Sequence, residues 1–196
     1  GPYLAELRAN GIRRLNISLD TMRRDRFAGL TGQDCFDRVW SNILHACEMG
    51  FAPLKINVVA MKGINDDEFA DIAALTREQP FQVRFIEYMP MGNPRLPQDP
   101  FISNEEIRRR IARLGKLEPV ARSTSDGPAE RFRLPGAAGE IGFISPRTQH
   151  FCGDCNRLRL TASGHLRPCL LSDQELDIKK LLRDGADDQA LGNIFM

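Results

Sequence analysis

Alternating and helical patterns succeed one another along the first half of the chain. Leu15, Ile17 and Leu19 alternate with Asn16, Ser18 and Asp20, which predicts a strand over 15–20 with one apolar and one polar side. Phe36, Val39, Trp40, Ile43, Leu44 and Cys47 recur at spacings of three and four, the stripe of an amphipathic helix, and Gly50 stops it. A second strand is predicted over 54–61, with Leu54, Ile56 and Val58 on one face and Lys55 and Asn57 on the other. Asn65 followed by Glu68 has the form of a capping box, opening a helix through Phe69, Ile72, Ala73 and Leu75 that ends before Pro80. A third strand, 83–89, runs into the proline- and glycine-rich stretch PMGNPRLPQDP.

Strand, helix, strand, helix, strand implies parallel pairing through right-handed crossovers. Polar residues recurring on one strand face predict the wall of a (β/α) barrel around a wet interior. Such a barrel places its active site at the C-terminal ends of its strands. After Pro100 the pattern changes. Ser103 with Glu106 starts a helix by a second capping box and Gly115 ends it. Short strands follow over 117–120, 131–134 and 140–144, broken by the polar turn STSDGPAE. Ser172 with Glu175 opens a last helix carrying Leu176, Ile178, Leu181 and Leu182, which stops near Gly185. Two parts are therefore expected: 1–100 in the α/β style of a barrel, and 101–196 as a small α+β domain.

Composition narrows the function classes. The 196 residues are 42% hydrophobic and 27% charged, the balance of an ordinary globular protein. A formal net charge of +1 supplies no global field to recruit nucleic acid. No apolar run approaches the roughly 18 residues that would suggest a membrane span. The opening GPYLAELRANG lacks the apolar core of a signal peptide, so a cytoplasmic setting is expected. There, clustered cysteines favour metal or redox chemistry over disulfides.

Three of the five cysteines, Cys152, Cys155 and Cys169, stand in the pattern C-x2-C-x13-C. Two thiolates three residues apart can turn onto one metal, and the third returns on a predicted hairpin. In RLRLTASGHLRP, Leu158 and Leu160 face one way, Arg157, Arg159 and Thr161 the other, and Ser163-Gly164 makes the turn. Three soft ligands suit an iron–sulfur cluster with one iron left open, or a zinc site completed by His150 or His165. Structural thiols or a disulfide are the plainer alternative. Cys47 lies on the apolar helix stripe and Cys35 has no partner at ligand spacing, so both are read as structural.

The segment CNRLRLTASGHLRPCL resembles the C-terminal cluster motif of the radical S-adenosylmethionine family of molybdenum cofactor biosynthesis enzymes, the GTP 3′,8-cyclases. NISLD, KINVVAMKGIND, RFIEYMPMG and RPCLLSDQELDIKKLLRDGADD are similar to that family's segments, in its order and at its spacing. The resemblance implies a fold of the α/β class: the C-terminal half of an incomplete TIM-type (β/α) barrel followed by a small α+β iron–sulfur domain. It implies that Cys152, Cys155 and Cys169 hold a second [4Fe–4S] cluster whose open iron meets the purine of GTP. By the same resemblance, Lys55, Arg157, Leu158 and Arg159 bind GTP, and Ser18 and Met89 contact S-adenosyl-L-methionine. The family's reaction cleaves S-adenosylmethionine at a first cluster; the resulting radical removes the 3′ hydrogen of GTP, and C3′ then attacks C8 of guanine. A homodimer and the next enzyme of the molybdopterin pathway are the implied protein partners, with neither nucleic acid nor membrane. Residue chemistry agrees with these roles: arginine offers planar forked donors to phosphate, lysine a mobile point charge.

Two features depart from the family's pattern. Its first cluster is held by C-x3-C-x2-C on the first barrel strand, and this sequence has no such motif. Its closing double glycine has no counterpart, because the chain ends Ile194-Phe195-Met196. A portion of the enzyme is therefore expected, with the first [4Fe–4S] cluster belonging only to the complete protein and this chain inactive by itself. The competing expectations are a zinc-stabilised module that binds a nucleotide or a protein, and a non-catalytic truncated relative.

Overall fold

The computed structural model describes residues 1–90, 99–121, 127–149, 158–169 and 174–195. These form two compact units: 1–89 with 94–151, and 90–93 with 152–196.

The first unit is built on a six-stranded sheet in the order β1-β2-β3-β6-β5-β4. Strands β1 (Leu15–Ser18), β2 (Leu54–Ala60), β3 (Phe81–Glu87) and β6 (Glu140–Ile144) run parallel. Strand β5 (Glu130–Arg133) pairs antiparallel with β6 and β4 (Glu118–Pro119) antiparallel with β5, so the predicted strands after Pro100 extend the same sheet. Helices α1 (Leu4–Ala9), α2 (Arg24–Thr31), α3 (Phe36–Glu48), α4 (Phe69–Glu78) and α5 (Asn104–Ile111) complete the unit. Strand β2 and the helices α3, α4 and α5 form where the sequence predicts, while β3 runs two residues earlier than expected, ending at Glu87 and leaving Met89 beyond it. Helices α1 and α2 were not predicted. They are short, and α2 carries one buried residue, Phe27, too little apolar content to show a stripe.

The core lies on one side of the sheet. Ile56 and Val58 of β2, Val83 and Phe85 of β3 and Ile141 and Phe143 of β6 are buried there against α3, α4 and α5. Phe69 meets Phe85 edge-on at 5.4 Å, Phe85 stacks with Phe143 at 6.1 Å, and Trp40 meets Phe81 edge-on at 6.1 Å. Truncating a ring in this row, such as Phe85, to alanine costs about 3–5 kcal/mol.

Two predicted caps come out differently. Asn65 does not cap α4, which starts at Phe69 after Glu68. Asn65 and Glu68 are instead drawn into tertiary hydrogen bonds, because both side chains are buried and find partners in the segment after β1 and at the end of β2. The last predicted helix also starts later. Leu176–Asp177 is a strand, and α6 (Ile178–Arg183) is capped by Asp177, whose Oδ1 accepts the Lys180 N–H at 2.8 Å. Ser172 lies outside the described residues. The Ser103 cap is formed: its Oγ accepts the Glu106 N–H at 3.3 Å.

The second unit contains a three-stranded antiparallel sheet of β7 (Arg159–Leu160), β8 (His165–Arg167) and β9 (Leu176–Asp177), then α6 and α7 (Asp188–Gly192). Among the described residues, no helix is long and apolar enough to cross a membrane.

Candidate functional site

The face of the first unit's parallel strands opposite the apolar core carries polar side chains, of which Gln82 and Arg84 are buried. Register places Asn16 beside Lys55 beside Gln82, and Ser18 beside Asn57 beside Arg84. Parallel neighbours in register share a face, so the polar positions of three strands form one surface. Ser18 and Lys55, both expected in the site, are thus on the same face, two residues apart along the strands, or about 6.6 Å. Arg84 donates from its guanidinium to Asn16 Oδ1 at 3.4 Å. The site expectation did not include Arg84, although its place between Val83 and Phe85 in an alternating strand marks it as facing away from the core. Gly142 makes room for it: a Cβ there would lie 3.1 Å from Arg84 Cγ.

A buried polar network fixes the C-terminal ends of these strands. Asp20 Oδ1 accepts the Val59 N–H at 2.8 Å, just past Ser18. Asn65 Nδ2 donates to the carbonyls of Asp20 and Val59, at 2.7 and 2.9 Å, and its Oδ1 accepts the Met61 N–H at 2.8 Å. Glu68 accepts from Thr21 Oγ1 at 2.7 Å, from the Met22 N–H at 2.8 Å and from Arg26. Burial pushes the Asp20 carboxyl above its ordinary range, against the opposing effect of the Val59 N–H. At the end of β3, the fully buried Glu87 accepts the N–H groups of Asn104, Arg147 and Thr148 at 3.0–3.1 Å, and the Thr148 hydroxyl at 2.5 Å. Met89, two residues on, follows directly from this anchored end and is half-buried.

In the second unit, Arg159 pairs in register with Arg167 and Leu160 with Leu166. Arg159 is half-buried, while Leu158 is 52% exposed and Cys169 is exposed. His165 Nδ1 lies 3.0 Å from Ser163 Oγ, and its Nε2 is 3.9 Å from Asp177. Cys152, Cys155, Arg157 and His150 lie outside the described residues. Among the described residues, no three His, Cys, Asp or Glu side chains gather into a metal site. Cys35 and Cys47 pack against the core of the first unit, and burial pushes the Cys47 thiol up, away from the thiolate a metal needs. The chemistry of the expected donor set, three thiolates and no carboxylate, fits an iron–sulfur cluster.

These parallel βα units carry a polar face opposite the core, and residues 2–76 match the Radical SAM superfamily. Residues 81–196 match Molybdenum Cofactor Synthesis C. The chain belongs to the molybdenum cofactor synthesis family of radical SAM proteins that includes the GTP 3′,8-cyclases. It is similar to the GTP 3′,8-cyclase of Moorella thermoacetica, 47% identical over 195 residues, covering 100% of this chain and 60% of the relative. The GTP 3′,8-cyclase of Thermodesulfovibrio yellowstonii is 48% identical over 190 residues, 96% of this chain and 59% of its own length. That of Microcystis aeruginosa is 49% identical over 181 residues, 89% of this chain and 54% of its own. The chain therefore spans about three fifths of the length of the curated relatives it matches.

Proposed function

We propose that this chain carries the GTP-binding and second-cluster portion of a GTP 3′,8-cyclase, which converts GTP to 3′,8-cyclo-7,8-dihydro-GTP with S-adenosylmethionine. The observation that carries the reading is the polar sheet face, on which Ser18 and Lys55 lie one pleat apart in a chain of this family. Parallel sheets are ordinarily covered on both faces, and a polar second face suits the inside of a barrel that holds solvent or ligand. In this reading 1–100 is the C-terminal half of an incomplete TIM-type barrel and 101–196 the iron–sulfur and GTP-binding domain.

The roles follow from side-chain chemistry. Lys55 sets a point charge on the polar face for a phosphate oxygen, and Arg157 and Arg159 add forked donors from the hairpin. Leu158 lies between them in sequence and lines the same nucleotide. Ser18 offers a hydroxyl, and Met89 an adaptable thioether, to S-adenosylmethionine. Cys152, Cys155 and Cys169 would hold the cluster. A three-cysteine [4Fe–4S] cluster supplies one open iron as a Lewis-acidic contact for a purine heteroatom. The protein's remaining task is to orient ribose and base and to keep water from the reacting carbons. A homodimer, a cytoplasmic setting and delivery of product to the next molybdopterin enzyme are supported by family membership alone.

The experiment is anaerobic GTP and guanosine binding to cluster-reconstituted protein, comparing wild type with Lys55→Ala and Arg159→Ala. Each variant should weaken GTP by on the order of 1.5–3 kcal/mol, the worth of a hydrogen bond to a charged group, and leave guanosine nearly unchanged. Equal losses for both ligands would mean that these cations act through the fold.

A further inference from the structure

The core-facing positions of β3 run Phe81, Val83, Phe85 and then Glu87. The first three are apolar, and the fourth is a carboxylate with none of its surface exposed. Packing alone does not call for it. Taking a carboxylate out of water is costly, and an apolar side chain of similar size would fill the position without that penalty. An acid kept there must gain specific partners.

Those partners come from two segments far from β3 in sequence. Glu87 Oε1 accepts the Asn104 N–H at 3.1 Å, in the first turn of α5, and the Thr148 hydroxyl at 2.5 Å. Its Oε2 accepts the N–H groups of Arg147 and Thr148, both at 3.0 Å. The joint is braced from both sides. Asn104 Nδ2 donates to Ser145 Oγ at 2.8 Å, and both residues are buried. Arg147 pairs with Asp99 at 2.9 Å and lies over the Phe101 ring at 4.2 Å. The Gln149 N–H closes the turn on the Ser145 carbonyl at 3.0 Å. One buried carboxylate thus fixes the turn 145–149 against the end of β3 and the start of α5.

The chain leaves this turn for the cysteine motif: Cys152 follows Thr148 by four residues. We infer that Glu87 is a positioning residue for the second cluster. By holding the backbone N–H groups of Arg147 and Thr148, it sets where the chain sets out toward Cys152 and Cys155, and with that how firmly the cluster is kept. Groups that orient ligands from behind govern metal retention without touching the metal, provided they sit on a rigid element. The inference rests on the cluster reading of Cys152, Cys155 and Cys169 and adds to it a residue that is not a ligand.

The test is anaerobic reconstitution of the 196-residue protein with iron and sulfide, for wild type, Glu87→Gln, Thr148→Val and Phe85→Leu. Glu87→Gln keeps the side chain's shape but turns one acceptor oxygen into a donor, which must face at least one N–H group. Thr148→Val loses the hydroxyl and keeps the N–H. Phe85→Leu loosens the same strand by packing alone and leaves every donor of the turn in place. Iron release to a chelator should be about tenfold faster in Glu87→Gln and about threefold faster in Thr148→Val. Phe85→Leu should release iron at close to the wild-type rate, although its urea midpoint falls. The electron paramagnetic resonance spectrum of the reduced cluster should change in Glu87→Gln and stay the same in Phe85→Leu. If Glu87→Gln does not fold, Thr148→Val carries the same comparison. Wild-type release and an unaltered spectrum in the Glu87 and Thr148 variants overturn the inference and leave the cluster reading standing. Release that merely tracks the urea midpoint across all three variants does the same. A wild type that takes up zinc and no iron overturns the cluster reading, and the inference with it.

Discussion

Asn65 Nδ2 donates to the carbonyl oxygen of Asp20 at 2.7 Å, joining two segments 45 residues apart. The same amide donates to Val59 and accepts from Met61, so one fully buried side chain closes the C-terminal edge of β1 and β2. Asn65→Ala would strand one N–H and two carbonyls away from water. Each unsatisfied group costs about 1–3 kcal/mol, partly relieved by relaxation, so a total loss of about 3 kcal/mol is expected. Urea unfolding checks this, and a loss below about 1 kcal/mol would mean that water replaces the amide.

Asp20 tests the same edge through pH. Its folded carboxyl titrates above its unfolded value, chiefly because it is buried, so the folded state prefers the protonated form. The linked stability is fully present below the unfolded value of about 3.9 and is lost as pH rises through the folded one. Asp20→Asn mimics the protonated acid and can still accept the Val59 N–H. Wild type and variant should therefore have similar stability near pH ~3, with the variant gaining the advantage as pH rises toward ~7. Denaturant midpoints across that range decide it, and a wild type more stable than the variant at neutral pH would reverse the sign.

Periodicity revealed the buried half of the first unit. Leu54, Ile56 and Val58 alternate with polar residues, and the stripe from Phe36 to Cys47 repeats every three to four positions, because each element packs one face on the core. The polar face with Ser18 and Lys55 was legible for the same reason. Asn65 misled, since the spacing of a capping box does not reveal a tertiary partner such as Asp20. Leu176 misled too: one backbone pairing to Leu166 on β8 outweighed its place in a helical stripe. A cavity of about 420 Å³ where β2, β3 and β6 begin could not be read at all. Arg14, Lys55 and Arg133 are far apart in sequence and meet only because β1, β2 and β5 belong to one sheet.

Two glycines of β6 and its approach should respond very differently to alanine. At Gly139 the added methyl would meet backbone, 2.3 Å from the Phe81 oxygen and 2.6 Å from that of Gln79. Backbone cannot step aside, so Gly139→Ala should cost about 3 kcal/mol, the upper end of overpacking. At Gly142 the nearest atom is the flexible Arg84 Cγ at 3.1 Å, so Gly142→Ala should cost about 1 kcal/mol. Thermal melts of both variants test the contrast. Equal losses would show that the start of β6 can shift as readily as the Arg84 side chain.

The cysteine assignment makes the most direct chemical prediction. Two of the five thiols, Cys35 and Cys47, pack against the apolar core, and partial burial pushes the Cys47 thiol up. Cys169 is exposed at the end of the small sheet, and Cys152 and Cys155 complete the C-x2-C-x13-C pattern in sequence. Thiolate is the form that binds metal, so the raised Cys47 thiol is disfavoured as a ligand, and the exposed Cys169 sulfur is accessible to one. Anaerobic reconstitution with iron and sulfide should give brown protein holding about four irons per chain, the content of one [4Fe–4S] cluster. Cys152→Ser, Cys155→Ser and Cys169→Ser should each abolish it, whereas Cys35→Ser and Cys47→Ser should retain it at full occupancy. Iron analysis and the visible charge-transfer spectrum provide the measurement. Tight zinc with no iron uptake would replace the cluster by a structural zinc site, for which His165 would have to release the Ser163 hydroxyl from its Nδ1 or bind through Nε2.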